Sequence, residues 1–471
     1  MTAETFPQRA HRSLRDSQLR RNLAKATSTI RTKTAKVSAE LPDWEALRDA
    51  GQAIKRETLA ELDRHLVALE ESVTRAGGVV HWAADAAEAR RIIVGLAKAH
   101  GAEQVIKIKS MTTDEVELNP ALEAAGIRPF ETDLADMIVQ MAHEKPSHLL
   151  VPAIHKNRSE IGALFRDQMD RPDLSDQPGD LTRAARAYLR DKFIETPVAI
   201  SGANFAVAET GSVVVVESEG NGRMCLTLPK VLISIMGIEK VLPEWEHLEV
   251  FLQLLPRAST GERMNPYTSI WTGTQAGERR AGDGPGEFHL VLLDNGRSKI
   301  LADEAARATL HCIRCSRCLN VCPVYQRAGG HAYDSMYQGP IGAILTPQLK
   351  GLDAAGSLPF ASSLCGACQE VCPVRIPIPD ILVHLRGRVV REGHAGLGEG
   401  LAMKAAGTLF DHPALMALAL SMGRAAQAPL ARDGRIERLP PPLDGWSLGR
   451  DFPALPKESF RAWWKRRKAS R

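Results

Sequence analysis

Seven of the eight cysteines in this 471-residue chain fall between positions 312 and 372. The first run, "HCIRCSRCLNVCPVY", places Cys312, Cys315, Cys318 and Cys322 ahead of Pro323. That is C-x2-C-x2-C-x3-C-P, the bacterial ferredoxin spacing. Three thiolates on a tight loop wrap three corners of an iron–sulfur cube, and the fourth is carried on to ligate a second cluster. The second run, "SSLCGACQEVCPVRIP", supplies Cys365, Cys368 and Cys372 before Pro373. Aligned on its Cys-Pro end, it is the same run with Ser362 in place of the first cysteine. Exchange of fourth ligands assigns Cys312, Cys315, Cys318 and Cys372 to one [4Fe-4S] cluster. Cys322, Cys365 and Cys368 then hold a second cluster that is one thiolate short. It is either a [4Fe-4S] cube with a non-cysteine fourth ligand or a [3Fe-4S] cluster. Ser362 is the nearest local candidate for that corner, or merely a small residue that the loop tolerates.

Other chemistry fits these residues less well. A zinc site uses four ligands in two knuckles, not seven cysteines with Cys-Pro ends. A disulfide framework conflicts with the odd count inside the block and with the absence of an apolar secretory segment in the basic first thirty residues. Cys225, with no cysteine or His nearby, reads as a buried structural thiol. His311, beside Cys312, either tunes a cluster or is an exposed neighbour.

Hydrophobic residues make up 44% and charged residues 25% of the chain, the balance of an ordinary globular protein. A net charge of +4 gives no ground for a nucleic-acid partner. The longest apolar runs, such as Val231 to Ile238, fall far short of the roughly 20 residues of a membrane span. The expected location is the cytoplasm, with peripheral contact at the inner face of the membrane open through partners.

The elements that must position the cysteines divide into four stretches. Residues 1–42 form a basic arm in which Leu19 and Leu23 fit a short amphipathic helix. It either docks an acidic partner or membrane surface or packs on its own domain. Residues 43–300 alternate strands and helices, an α/β layer with a largely parallel sheet. One helix is expected from an Asp43 cap to Gly77-Gly78. Strands are expected at "VVHW", "QVIKI", "GIRPFET", "HLLVPA", "SVVVVES", "VLISIMG" and "HLVLL". Residues 303–400 are helical and loop-like and carry the cysteines, and 401–471 form a C-terminal helical extension and tail.

Within the α/β part, "SGANFAVAETGSVVVVES" offers Gly202, Asn204, Glu209, Thr210, Gly211 and Ser212 before a strand. Glu209 reads as a base or nucleophile, or the segment is a plain turn. "IKIKSM" puts Lys107, Lys109 and Ser110 at a strand end, where open α/β sheets bind ligands, unless these are alternating surface lysines.

Three segments, "SGANFAVAETGSVVVVESEGNGR", "KSMTTDEVELNPALEAAGIRPFETDLADMIVQ" and "PSHLLVPAIHKNRSEIGALF", resemble the LUD domain. Followed by the two cysteine runs, "GPIGAIL" and "ESFRAWW", they make the chain similar to the lactate-utilisation protein B family over nearly its whole length. The resemblance implies a CoA-transferase-like α/β domain, a helical dicluster ferredoxin-type domain and the C-terminal extension. It also implies an iron–sulfur electron-transfer subunit in the oxidation of L-lactate to pyruvate, working in a complex with companion lactate-utilisation proteins. Lactate gives up two electrons while each cluster passes one, so a two-electron acceptor must lie somewhere in that complex. Two other readings stand beside it: a catalytic subunit acting through the LUD pocket, and a cluster-bearing redox regulator.

Overall fold

Runs of Val, Ile and Leu without strict alternation demand a sheet covered on both faces, and the chain builds one. The computed structural model describes residues 4–274, 284–441, 443–447 and 450–469. Six strands form a parallel sheet: β1 (Val79–Ala83), β2 (Gln104–Lys107), β3 (Arg128–Glu131), β4 (Val198–Gly202), β7 (Val231–Gly237) and β10 (Glu287–Leu293). Their spatial order is β1-β10-β7-β4-β2-β3. Adjacent residues pack into opposite layers: Ile106, Ala199 and Leu232 into one, Val105, Val198 and Ile233 into the other. A second, four-stranded sheet holds β5 (Phe205–Val207), β6 (Ser212–Glu217), β8 (Val241–Leu242) and β9 (Tyr267–Thr272). The "SVVVVES" strand lies there, antiparallel to both β5 and β9.

Two local expectations fail for visible reasons. "HLLVPA" is a turn, because the buried His148 ring accepts the backbone N–H groups of Leu150 and Val151 at Nδ1 and curls the chain. The single helix expected after Asp43 is two, α3 (Trp44–Ala60) and α4 (Leu62–Arg75), broken at Glu61 (φ −121°, ψ 36°). Asp43 makes no capping bond. The break lets α3 follow the cysteine-bearing segment, where Arg48 donates to the carbonyls of Cys372 and Glu370, while α4 packs on the sheet.

The basic arm comprises α1 (Phe6–Ser13) and α2 (Ser17–Ala39). Leu19 and Leu23 are buried, and α2 packs on the helices Arg317–Val321 and Tyr325–Ala328 of the cysteine-bearing segment. Residues 1–391 form one compact unit and 392–471 another. The second unit contains helices Leu397–Asp411, Pro413–Gln427 and Phe460–Ala469 and a short antiparallel pairing of Arg435–Ile436 with Phe452–Pro453. Among the described residues, no helix is long and apolar enough to cross a membrane.

Candidate metal centres

Two left-handed backbone positions on each loop allow the tight cysteine spacing, and the two runs fold alike at an offset of 50 positions. Arg314 (φ 62°) and Ser316 (φ 61°) sit in the left-handed region between the cysteines of the first run. Leu364 (φ 54°) and Gly366 (φ 83°) take the same conformations in the second. A short helix follows each, Arg317–Val321 and Ala367–Glu370. The likeness extends to single atoms. The N–H of Arg314 donates to Cys312 Sγ at 3.4 Å, and the N–H of Leu364 donates to Ser362 Oγ at 3.1 Å. Ser362 thus presents its oxygen where the first run presents sulfur.

The neighbours that raise the buried thiols divide the cysteines of the two runs into two sets, Cys312, Cys315, Cys318 and Cys372 against Cys322, Cys365 and Cys368, with one crossing: Cys368 also acts on Cys318. Burial comes first in each case. After it, Cys372 and Cys312 act on Cys315, and Cys315 and Cys312 lead on Cys318. Cys365 acts on Cys322, and Cys322 and Cys365 both act on Cys368, which is pushed up to about 12. Cys372 rises only to about 11, because the N–H groups of Ile376 and Val374 point at its sulfur and oppose burial. Cys322 receives the matching bonds from Tyr325 and Val324. Buried sulfurs that accept backbone N–H bonds suit thiolate-bound iron–sulfur clusters, whose potential such bonds help set. Among the described residues no three His, Cys, Asp or Glu side chains are arranged around a single ion. A cube needs no such convergence, since each thiolate binds its own iron.

The two groups differ at one cysteine each. Cys315, Cys318 and Cys372 are buried and Cys312 half-buried; Cys322 and Cys368 are buried too, and Cys365, next to the 37% exposed Leu364, is exposed.

Behind the first group lies a buried ionic hub that joins the sheet to the cysteine loop. Arg297 grips Glu115 with two bonds of 2.8 Å and Glu239 with one of 2.6 Å. Arg314 reaches the other Glu239 oxygen at 3.1 Å and lies over the Tyr337 ring. Burial pushes Glu115 up, but Arg297 and hydrogen bonds from its guanidinium, Tyr337 and Asn295 outweigh that and hold it at about 2. His311 is buried, not exposed, and burial followed by Lys55 and Arg56 lowers it to about 4. Cys225 is buried beside Thr132 and raised by burial to about 12, an inert thiol.

A cavity of about 330 Å³ opens against this loop, with Cys312, Ile313 and Arg314 in its wall. Of the residues singled out from sequence, it gathers Lys109, Ser110, Gly202 and Asn204. Gly202 is required there: a Cβ would stand 2.4 Å from Ser110 Oγ. Lys107 is neither a surface lysine nor a cavity residue; it is fully buried and paired with Glu131 at 2.6 Å. Glu209 accepts the N–H of Trp245 and caps the helix Trp245–Ser259 outside the cavity, so its segment is a turn. Sequence reading missed Lys55 and Lys240, which line the cavity. Lys240 carried a signal, a charge three residues past the buried and largely apolar β7; Lys55 carried none.

Three family models match in tandem: the LUD domain over residues 66–293, the 4Fe-4S dicluster domain over 308–376, and the lactate utilisation protein B C-terminal domain over 384–469. Lactate utilization protein B 1 of Bacillus mycoides is 42% identical over 464 residues, covering 98% of this chain and 96% of that protein. The chain belongs to the lactate utilization protein B family. Its relatives also include lactate utilization protein B of Oceanobacillus iheyensis, 42% identical over 98% of this chain and 96% of that one. The family member of Bacillus cereus is 42% identical over 99% and 98% of the two chains. A DUF162 family protein of Deinococcus radiodurans aligns to 50% of this chain and 98% of its own at 10% identity, with a TM-score of 0.26. In this member of the lactate utilization protein B family, the cysteine-bearing segment is therefore a 4Fe-4S dicluster domain.

Proposed function

We propose that this chain is the iron–sulfur electron-transfer component of lactate utilisation, passing electrons from the oxidation of L-lactate to pyruvate. It acts in the cytoplasm with companion proteins of the same process. Cys312, Cys315, Cys318 and Cys372 hold the first cluster, and Cys322, Cys365 and Cys368 the second. The observation that carries the reading is the placement of two thiols: Cys312 of the first group lines a cavity, and Cys365 of the second is exposed at the surface. Two clusters so placed form a path from the interior to a docking partner. The matched N–H bonds to Cys312 Sγ and Ser362 Oγ support Ser362 as the group facing the fourth iron of the second cluster.

The clusters supply one-electron carriers, and the chain's residues seat them, exclude water and direct backbone N–H groups at sulfur. The test is anaerobic: purified holo-protein is mixed with lactate, alone and with its companions, while cluster absorbance and paramagnetic signals are followed. Reduction only with the companions present is the expected result. Clusters that stay oxidised in the complete, turning-over assembly would refute the relay.

A further inference from the structure

The cavity beside the first thiol group has a position and a charge pattern that the relay does not use. It lies at the carboxyl ends of β2 and β4, through Ile108, Lys109, Ser110, Gly202, Ala203 and Asn204. Between these strands the winding reverses. From β2 the chain steps to β3 on one side, and from β4 to β7 and β10 on the other. Crevices at such reversals are where open parallel sheets bind ligands.

The inner wall is cationic. Lys55, only 2% exposed, donates to the Glu239 carbonyl, and Lys240 donates to the Ala203 carbonyl at 2.6 Å. Among the described residues neither ammonium has a salt-bridge partner, and each has donors to spare. Arg314 lines the same wall with a buried Nη1 that no group accepts. Lys55 and Lys240 pair with no carboxylate among the described residues and Arg314 keeps a buried N–H unused, donors that an oxyanion would satisfy together. The acidic residues of the cavity are already engaged. Glu217 takes the N–H groups of Gly220, Gly222 and Arg223; Asp133 caps its own helix; Glu219 takes the N–H of Leu134. Lys109 faces Asp136 at 3.4 Å.

We propose that this cavity binds an organic anion whose carboxylate or phosphate is held by Lys55, Lys240 and Arg314, against the loop that carries Cys312. Its volume suits a small organic molecule better than an inorganic ion. The binding claim stands on the cavity alone; contact with the first cluster rests on the ligand assignment proposed above.

Calorimetry on the reconstituted holo-protein, with pyruvate, flavin mononucleotide and inorganic phosphate as separate probes, tests it and distinguishes the sources. Saturable binding of pyruvate marks a 2-oxo acid site, and saturable binding of the flavin marks a cofactor site. In either case Lys240→Met, at unchanged iron content, weakens binding about tenfold or more while Lys240→Arg retains it. No binding of either organic probe, phosphate binding alone, or equal binding by Lys240→Met overturns the proposal. The paramagnetic signal of the reduced first cluster should shift on saturation with the bound probe. An unchanged signal overturns the contact with the cluster, and leaves the relay to its own test.

Discussion

The two cysteine loops share backbone angles, a following helix and an inward N–H bond, yet differ at one atom and in their surroundings. The first loop presents sulfur at Cys312, backed by the Glu239–Arg297–Glu115 hub. The second presents oxygen at Ser362, with Leu364 and Cys365 facing outward. Duplicated geometry therefore does not mean duplicated chemistry. On the proposed ligand assignment, four thiolates favour a durable cluster, and three thiolates with an oxygen favour an exchangeable iron.

The largest effect should follow removal of a thiolate from the four-cysteine site. Cys315→Ser or Cys318→Ser should abolish lactate-dependent electron flow in the assembled complex while far-UV circular dichroism keeps the α/β signature. Normal flow with that cluster demonstrably missing would break the comparison at its root.

Next comes the hub, which only the first loop possesses. Arg297→Met would leave Glu115 buried without a cationic partner and Glu239 with Arg314 alone, a loss of about 3–5 kcal/mol in denaturant unfolding. The same network sets an acid limit. The folded pKa of Glu115, at about 2, lies below its ordinary 4.5, so its contribution is present above pH 4.5 and disappears as pH falls toward 2. That contribution is about 3 kcal/mol and should be missing from the acid titration of Glu115→Gln.

A smaller effect sharpens the contrast at Ser362. Mild oxidation of the wild type should yield the paramagnetic signal of a three-iron cluster, and Ser362→Cys should slow that conversion by about tenfold or more. Equal resistance in both proteins would make the serine a spacer. The smallest effect concerns the paired left-handed positions. Ser316→Gly should stabilise the protein by up to about 1 kcal/mol, and Gly366→Ala, whose Cβ meets nothing, should cost about 1 kcal/mol in thermal unfolding.

The cysteine spacing made the two runs and their 50-residue offset legible before any coordinates, because thiolate geometry constrains neighbours along the chain. The parallel sheet was legible for the same local reason, in its uninterrupted apolar strands. The cavity's charge was not. Lys55 sits mid-helix among polar residues and looks like any solvated lysine; the packing of α3 against the helix Trp245–Ser259, β8 and the Arg307–His311 turn buries it. The break at Glu61 and the turn at His148 were hidden likewise, since each is set by what the segment packs on or by a side chain folding back on its own backbone.

The contact between α2 and the helices near residue 320 has a consequence for biosynthesis. The apolar stripe of Leu19 and Leu23 leaves the ribosome roughly 300 residues before the surface that covers it. At ordinary elongation rates of about 5–20 residues per second, that surface follows ~15–60 s later, with the helix Trp245–Ser259 the earlier partner of α2. One helix that α2 covers carries Cys318, so the first helices of a chain lack part of their packing surface until the cysteine loops have folded.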